Sequence, residues 1–210
     1  MIANIRPEIL SHLKKDKIMA KLIANCTLTM HKTPINVFDD LLRSIVSQQL
    51  STSAAATIYG RFIDSLDPSQ SVPAQILAKT PDELRAIGLS FQKANYLQNV
   101  VRHFDEYHLY DTDWDTFTDE KIIEELSKIK GVGKWTVEMI LMFSLHREDV
   151  LPLDDLIIRN NIILLYDITA DKKAQIAEIH KIADKWRPFR SYACRYMWAA
   201  KDTKILHKTI

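Results

Sequence analysis

The stretch Leu126-Ser-Lys-Ile-Lys130-Gly131-Val132-Gly133-Lys134-Trp135-Thr136-Val-Glu138 decides how the chain is read. Apolar spacing carries one helix up to Gly131, and a second helix leaves through Lys134, Trp135 and Thr136. Two glycines around one apolar residue let the backbone turn tightly with no Cβ in the way. They also leave bare amides at the start of the second helix. Such amides attract an anion, and phosphate has the right shape. Lys130 and Lys134 flank the turn and strengthen that attraction. The same residues also suit a glycine-rich corner between two packed helices, so the surroundings must decide.

Downstream, the chain reads Asp149-Val-Leu-Pro152-Leu-Asp154-Asp155-Leu-Ile-Ile-Arg159. Pro152 stops any helix from running through, and the two aspartates open a new apolar-periodic one. Asp is a favoured N-cap, but a cap uses one side chain and leaves its neighbour to point elsewhere. A glycine hairpin, a helix, a short Pro-containing loop and an aspartate opening the next helix together resemble the helix-hairpin-helix–GPD superfamily of DNA glycosylases. Within it, the chain is most similar to the 3-methyladenine DNA glycosylase II, or alkylpurine glycosylase, family. The likeness runs from about Val37 to Trp198.

The resemblance implies roles residue by residue. Asp155 matches the catalytic acidic residue, acting as a carboxylate, with Asp154 as its helix-capping neighbour. Lyase-active members carry a lysine two positions after the hairpin; Trp135 stands there, and an indole cannot form an imine. No strand-cleaving lyase activity is therefore expected. In Leu42-Arg-Ser-Ile-Val-Ser-Gln48-Gln49-Leu50-Ser51-Thr52, Gln49 matches the residue wedged into the DNA stack, with the Gln48–Leu50 turn as its frame. Without the family, Gln48 and Gln49 read as a polar turn. The run Trp186-Arg-Pro-Phe-Arg-Ser-Tyr-Ala193, followed by Trp198, resembles the family's closing helix. Backbone contacts to DNA fall to Lys130, Gly131, Gly133, Lys134 and Thr136. A monovalent cation, sodium or potassium, held by hairpin carbonyls at Ile129 and Val132 is also implied. Met139 and Leu156 stand where some long members hold pocket tyrosines, and 210 residues match a short form without their extra N-terminal domain.

Composition bounds the reading from the other side. The chain is 47% hydrophobic and 26% charged, ordinary for a globular protein. Net charge is only +1, so DNA affinity must come from local placement of charge. Two cysteines, Cys26 and Cys194, exclude a four-cysteine iron–sulfur cluster and suit a reducing compartment. No His/Cys/Asp spacing suggests a metal, no cofactor is implied, and His31, His103 and His108 read as surface residues. With no signal peptide and no membrane-length apolar run, the expectation is an intracellular monomer working where the DNA is, in a nucleoid or a nucleus.

Periodicity predicts an all-α chain. Helices are expected over Pro7–Ala24, Val37–Val46, Ser51–Leu66, Ala74–Leu77, Pro81–Ile87, Ser90–Tyr107, Thr118–Ile129, Lys134–Leu145, Asp155–Leu165, Asp171–Lys185 and Pro188–Ala200. Tyr107–Thr118 reads as the longest loop. The resemblance implies one glycosylase domain over residues 1–210 made of two helical lobes with a cleft between them. One lobe is about 37–145; the other joins 1–36 to 146–210.

The implied reaction suits these residues. Breaking an N-glycosidic bond builds positive charge on deoxyribose, which a carboxylate stabilises while orienting or deprotonating a water. The target base must first leave the duplex. An alkylated purine is already cationic and leaves readily. An indole facing it gains about 0.5–2 kcal/mol, which makes Trp135 and Trp198 candidate pocket walls with Phe38 and Met139 as weaker ones. Trp198 and Phe38 read equally well as core. Glu138 and Arg159 read as structural, paired or solvated. The implied function is a monofunctional glycosylase that flips out alkylated purines of the 3-methyladenine and 7-methylguanine type and leaves an abasic site in double-stranded DNA. The alternatives are a non-catalytic DNA-binding module and a glycosylase for another lesion.

Overall fold

The computed structural model of the chain describes residues 5–28 and 36–200, so the reading of His31 lies outside the described residues. All regular structure among them is helical. The α-helices are α1 (Pro7–Leu13), α2 (Lys17–Asn25), α3 (Val37–Ser47), α4 (Thr52–Asp64), α5 (Val72–Ala78), α6 (Pro81–Ala86), α7 (Phe91–Glu106), α8 (Asp119–Leu126), α9 (Lys134–Phe143), α10 (Leu156–Leu165), α11 (Lys172–Ala183) and α12 (Arg190–Ala200). None of them is long and apolar enough to cross a membrane. The chain divides into two units, Pro34–Leu145 and Met1–Thr33 with His146–Ile210.

Side-chain caps set most of the helix starts. Asn36, Ser51, Ser71, Ser90, Thr118 and Asp171 each accept from an amide in the first turn, and Thr80 and Glu83 form a reciprocal capping box. Such caps contribute about 1 kcal/mol each. Asp16 does the same within the stretch expected to be one helix. Its Oδ1 accepts from Ile18 and Met19 at 2.8 and 3.1 Å, and that cap divides the stretch into α1 and α2. Apolar spacing continues through the break, which is why periodicity alone hides it.

In the 34–145 unit, α7 is the central helix and packs on α3, α5 and α6. Ala94, Leu97, Val100, Val101 and Phe104 form its buried face. Buried Gln98 donates to the carbonyls of Ile76 and Lys79, satisfying the end of α5. Phe38 lies in this core, with ring centroids 5.2 Å from Phe104 and 5.1 Å from Tyr110. The segment expected as the longest loop is built into the same core. Leu109 and Trp114 are buried, and Trp114–Thr116 forms a 3₁₀ turn. His103 is not a surface residue: it pairs with Glu125 of α8 at 3.0 Å and packs at a tilt against the Tyr107 ring.

In the other unit, α12 packs on α2 and α10, and α11 packs on α10. Met19, Leu22, Ile158, Ile162, Ala193 and Met197 are buried there. Buried Asn161 donates to the Met197 carbonyl at 2.7 Å, joining α10 to α12.

Lys128, foremost, and His103 hydrogen-bond the Glu125 carboxylate and hold its pKa below the ordinary value. A carboxyl lowered by folding stabilises the protein above its unfolded pKa, and that contribution is lost as pH falls through the lowered value. Glu125→Gln should therefore lower unfolding free energy at neutral pH by about 1 kcal/mol, a modest figure because Lys128 is half exposed. Urea midpoints of the two proteins should converge below the ordinary carboxylate range.

Candidate active site

The hairpin between α8 and α9 is anchored by apolar residues and opened by glycine. Ile129 and Val132 are buried, and Val132 N donates to Ile129 O at 2.9 Å, closing the turn. Gly131 has φ +108°, and a Cβ there would sit 2.2 Å from the Tyr96 ring. Only glycine fits. Gly133 differs from the expectation for both glycines, because its φ is −94° and an added Cβ would meet nothing within 4 Å. It is the N-cap of α9 and supplies no side-chain acceptor. The first amides of α9 therefore have no cap of the kind found at Ser, Thr, Asp and Asn elsewhere in the chain, which leaves them suited to an anion. Lys130 and Lys134 are exposed beside them. The Thr136 side chain is buried, so a contact from that position falls to its amide.

Trp135 and Met139 are four residues apart on α9 and share a face. Trp135 is 42% exposed, and Met139 is half-buried. Glu138 is not solvated. It is buried with its Oε1 3.6 Å from Lys134 Nζ, an ion pair within one helix.

The turn from α3 into α4 presents Gln49. Gln49 is exposed and has φ +57°, an uncommon backbone conformation for a residue with a side chain. Gln48 is not idle: its Nε2 donates to Gly131 O at 3.1 Å, tying this turn to the hairpin. Sequence reasoning missed three residues of α7 that complete the arrangement. Lys93 Nζ donates to the carbonyls of Val46 and Gln48, both at 2.7 Å, and Asn99 Nδ2 donates to Lys130 O at 3.2 Å. Tyr96 supplies the ring behind Gly131. Their spacing of three on α7 was a signal that one polar face has a task, but the partners are 31 to 47 positions away.

In the other unit, Asp155 is itself the N-cap of α10, which corrects the assignment of capping to Asp154. Its Oδ1 accepts from Ile157 N and Ile158 N, both at 3.0 Å, and from Trp198 Nε1 at 3.1 Å. Asp155 is buried and Asp154 exposed. The one-cap argument identified the motif but assigned the cap to the wrong neighbour, because either aspartate can open the helix. Leu156, next to Asp155, is 61% exposed. Trp198 thus stands against the candidate catalytic carboxylate, whereas Phe38, proposed as a weaker wall, is a core residue of the 34–145 unit.

The loop leading to Asp155 is fastened to α12. Ser191 Oγ donates to Arg147 O at 2.7 Å and accepts from Val150 N at 2.9 Å, and Ser191 N donates to Glu148 O. Arg190 Nε donates to Asp149 Oδ1 at 2.6 Å, and Arg187 pairs with the same carboxylate. These residues close a continuous set of contacts from loop to cap.

The two hairpin glycines should respond differently to substitution. Gly133→Asp supplies a capping carboxylate to α9, so thermal stability should hold or rise. Duplex affinity should fall about tenfold or more, because the new anion occupies the phosphate's place. Gly131→Ala should lower thermal stability itself. Melting curves and fluorescence-anisotropy titrations of both proteins separate these effects.

Comparison with known proteins agrees with this geometry. The model of the HhH-GPD superfamily base excision DNA repair proteins matches residues 42–188. DNA-3-methyladenine glycosylase 1 of Schizosaccharomyces pombe is 34% identical over 196 residues, which is 92% of this chain and 84% of that protein. A solved structure of a 3-methyladenine DNA glycosylase from the same yeast, in complex with abasic DNA, superposes with a TM-score of 0.78 at 31% identity. It covers 93% of this chain and 97% of that one. A DNA-3-methyladenine glycosidase from Bacillus halodurans gives a TM-score of 0.79 at 32% identity, over 97% of this chain and 92% of that one. The helical fold, the uncapped glycine hairpin and the aspartate-capped α10 thus occur together in a chain that belongs to the HhH-GPD superfamily of base excision DNA repair proteins.

Proposed function

We propose that the protein is a monofunctional alkylpurine DNA glycosylase that acts as a monomer on damaged double-stranded DNA. It removes bases of the 3-methyladenine and 7-methylguanine type and leaves an abasic site. The observation that carries this reading is the Asp155 carboxylate, fixed by two amides and an indole at the start of α10. The relatives' names supply the substrate class: both solved structures compared above are described as acting on 3-methyladenine.

Chemically, the bond from deoxyribose C1′ to the base nitrogen breaks, and its electron pair leaves with the base. A cationic alkylpurine departs neutral and needs no general acid. The sugar gains positive charge, and the Asp155 carboxylate stabilises it. Water then adds at C1′ and loses its proton, with Asp155 as the base that orients or accepts it. Trp135 stands two positions after the hairpin and cannot form an imine, so no covalent sugar–enzyme intermediate arises there. Exposed Trp135 with Met139, and Trp198 beside Asp155, are the apolar surfaces proposed to select a cationic base. Gln49 fills the gap that the base leaves, while Lys130, Gly131, Gly133, Lys134 and the Thr136 amide hold the backbone.

The hairpin carbonyls also fit a monovalent cation. Lys130 O and Gly131 O accept from Asn99 and Gln48, and the carbonyls of Ile129 and Val132 are the ones proposed to hold it. Ile129 O keeps its second lone pair after bonding Val132 N. Such an ion would add positive charge where a phosphate docks. We place the working enzyme inside the cell, with the DNA.

Asp155→Asn tests the reading cleanly, because Asn caps a helix as well as Asp and still offers Trp198 an acceptor. The variant should melt within a few degrees of wild type, bind methylated duplex, and release free base at least about a hundredfold more slowly, measured by chromatography. Unchanged release from the variant would remove Asp155 from the reaction. No release from wild type that still binds the duplex would favour the binding-module reading.

A further inference from the structure

Two turns of the 34–145 unit face the proposed DNA: the Gln49 turn after α3 and the glycine hairpin before α9. Both are held from behind by one face of α7, where Lys93, Tyr96 and Asn99 recur at helical spacing. The Lys93 ammonium takes two carbonyls at the C-terminal end of α3, Val46 O and Gln48 O, each at 2.7 Å. Helix-end carbonyls lack partners within their own helix, and a cation is the favoured group at that pole. Asn99 takes Lys130 O, and Tyr96 fills the space behind Gly131. Gln48 then joins the turns directly through Gly131 O. The residue held out at the end of this arrangement is Gln49, at φ +57°. A backbone in that region persists where its surroundings over-determine it.

We propose that Lys93, acting with Gln48, is a positioning residue that locks the Gln49 turn to the phosphate-binding hairpin. A duplex gripped at the hairpin then meets Gln49 at one fixed height in its stack. This inference rests on the functional reading above, in which Gln49 displaces a base. Lys93 touches neither base nor sugar in this role. Its loss frees the turn, so Gln49 relaxes toward ordinary backbone geometry while the hairpin keeps its grip. Discrimination between gapped and intact DNA suffers, and general affinity does not.

The test compares wild type, Lys93→Met and Gln48→Leu on two duplexes of one sequence, one intact and one bearing a tetrahydrofuran abasic analogue. A 2-aminopurine beside the analogue reports insertion of a side chain into the stack by its fluorescence. Lys93→Met should lower the abasic-over-intact affinity ratio about tenfold, with intact-duplex affinity within about twofold of wild type. The 2-aminopurine signal should shrink in parallel. Gln48→Leu removes one neutral hydrogen bond without touching charge, so it should lower the ratio about threefold and keeps the test informative if Lys93→Met does not fold. Equal loss on both duplexes would make Lys93 a phosphate contact and overturn the inference. So would a lowered melting temperature with ratio and fluorescence unchanged, the mark of a merely structural residue. Wild type that fails to prefer the abasic duplex would instead sink the reading of Gln49 as a wedge, leaving the two failures distinguishable.

Discussion

Three donors converge on one oxygen of Asp155: two amides that open α10 and the indole of Trp198 on α12. Capping and the proposed catalysis thus draw on the same side chain. The helix needs the carboxylate to satisfy its first amides, and the proposed reaction needs it held still against a sugar that turns positive. The surrounding contacts serve that constraint. Asn161 joins α10 to α12 through Met197 O, one residue before Trp198, and Ser191 and Arg190 fasten the incoming loop to the start of α12. Preorganisation at this oxygen comes from elements that have to pack together anyway.

The hairpin follows the opposite logic. Where Asp155 fills the amides of α10, Gly133 leaves those of α9 without a side-chain cap. The chain carries a net charge of only +1, so attraction for a polyanion has to be local. Lys130 and Lys134 supply the local charge, and buried Glu138 takes part of it back through Lys134. Position matters more than quantity here: amides aimed by a helix start add directional donors to a modest cationic patch.

Much of this was legible in the sequence. Helix spacing, Pro152, the glycine hairpin and the paired aspartates are local signals, and they carried both the all-helical class and the family. The caps that divide α1 from α2 and that start α10 are local too. The first is hidden because apolar periodicity runs unbroken past Asp16, and the second falls to the wrong neighbour because Asp154 and Asp155 are equally good caps in isolation. What was not legible is long-range. Nothing near Lys93 announces that its ammonium meets the end of α3, and nothing near Gly131 announces the Tyr96 ring that forbids a side chain there. Trp114 read as part of a loop because a polar neighbourhood hides one buried ring.

The central claim is hydrolytic release of an alkylated purine with no covalent link to the sugar. It is tested most directly by incubating the protein with methylated duplex DNA and dividing the products between neutral quench, hot alkali and borohydride. The account predicts free 3-methyladenine or 7-methylguanine in every portion, strand breaks only after alkali, and no protein trapped on DNA. Breaks before alkali, or a borohydride-trapped complex, would contradict it.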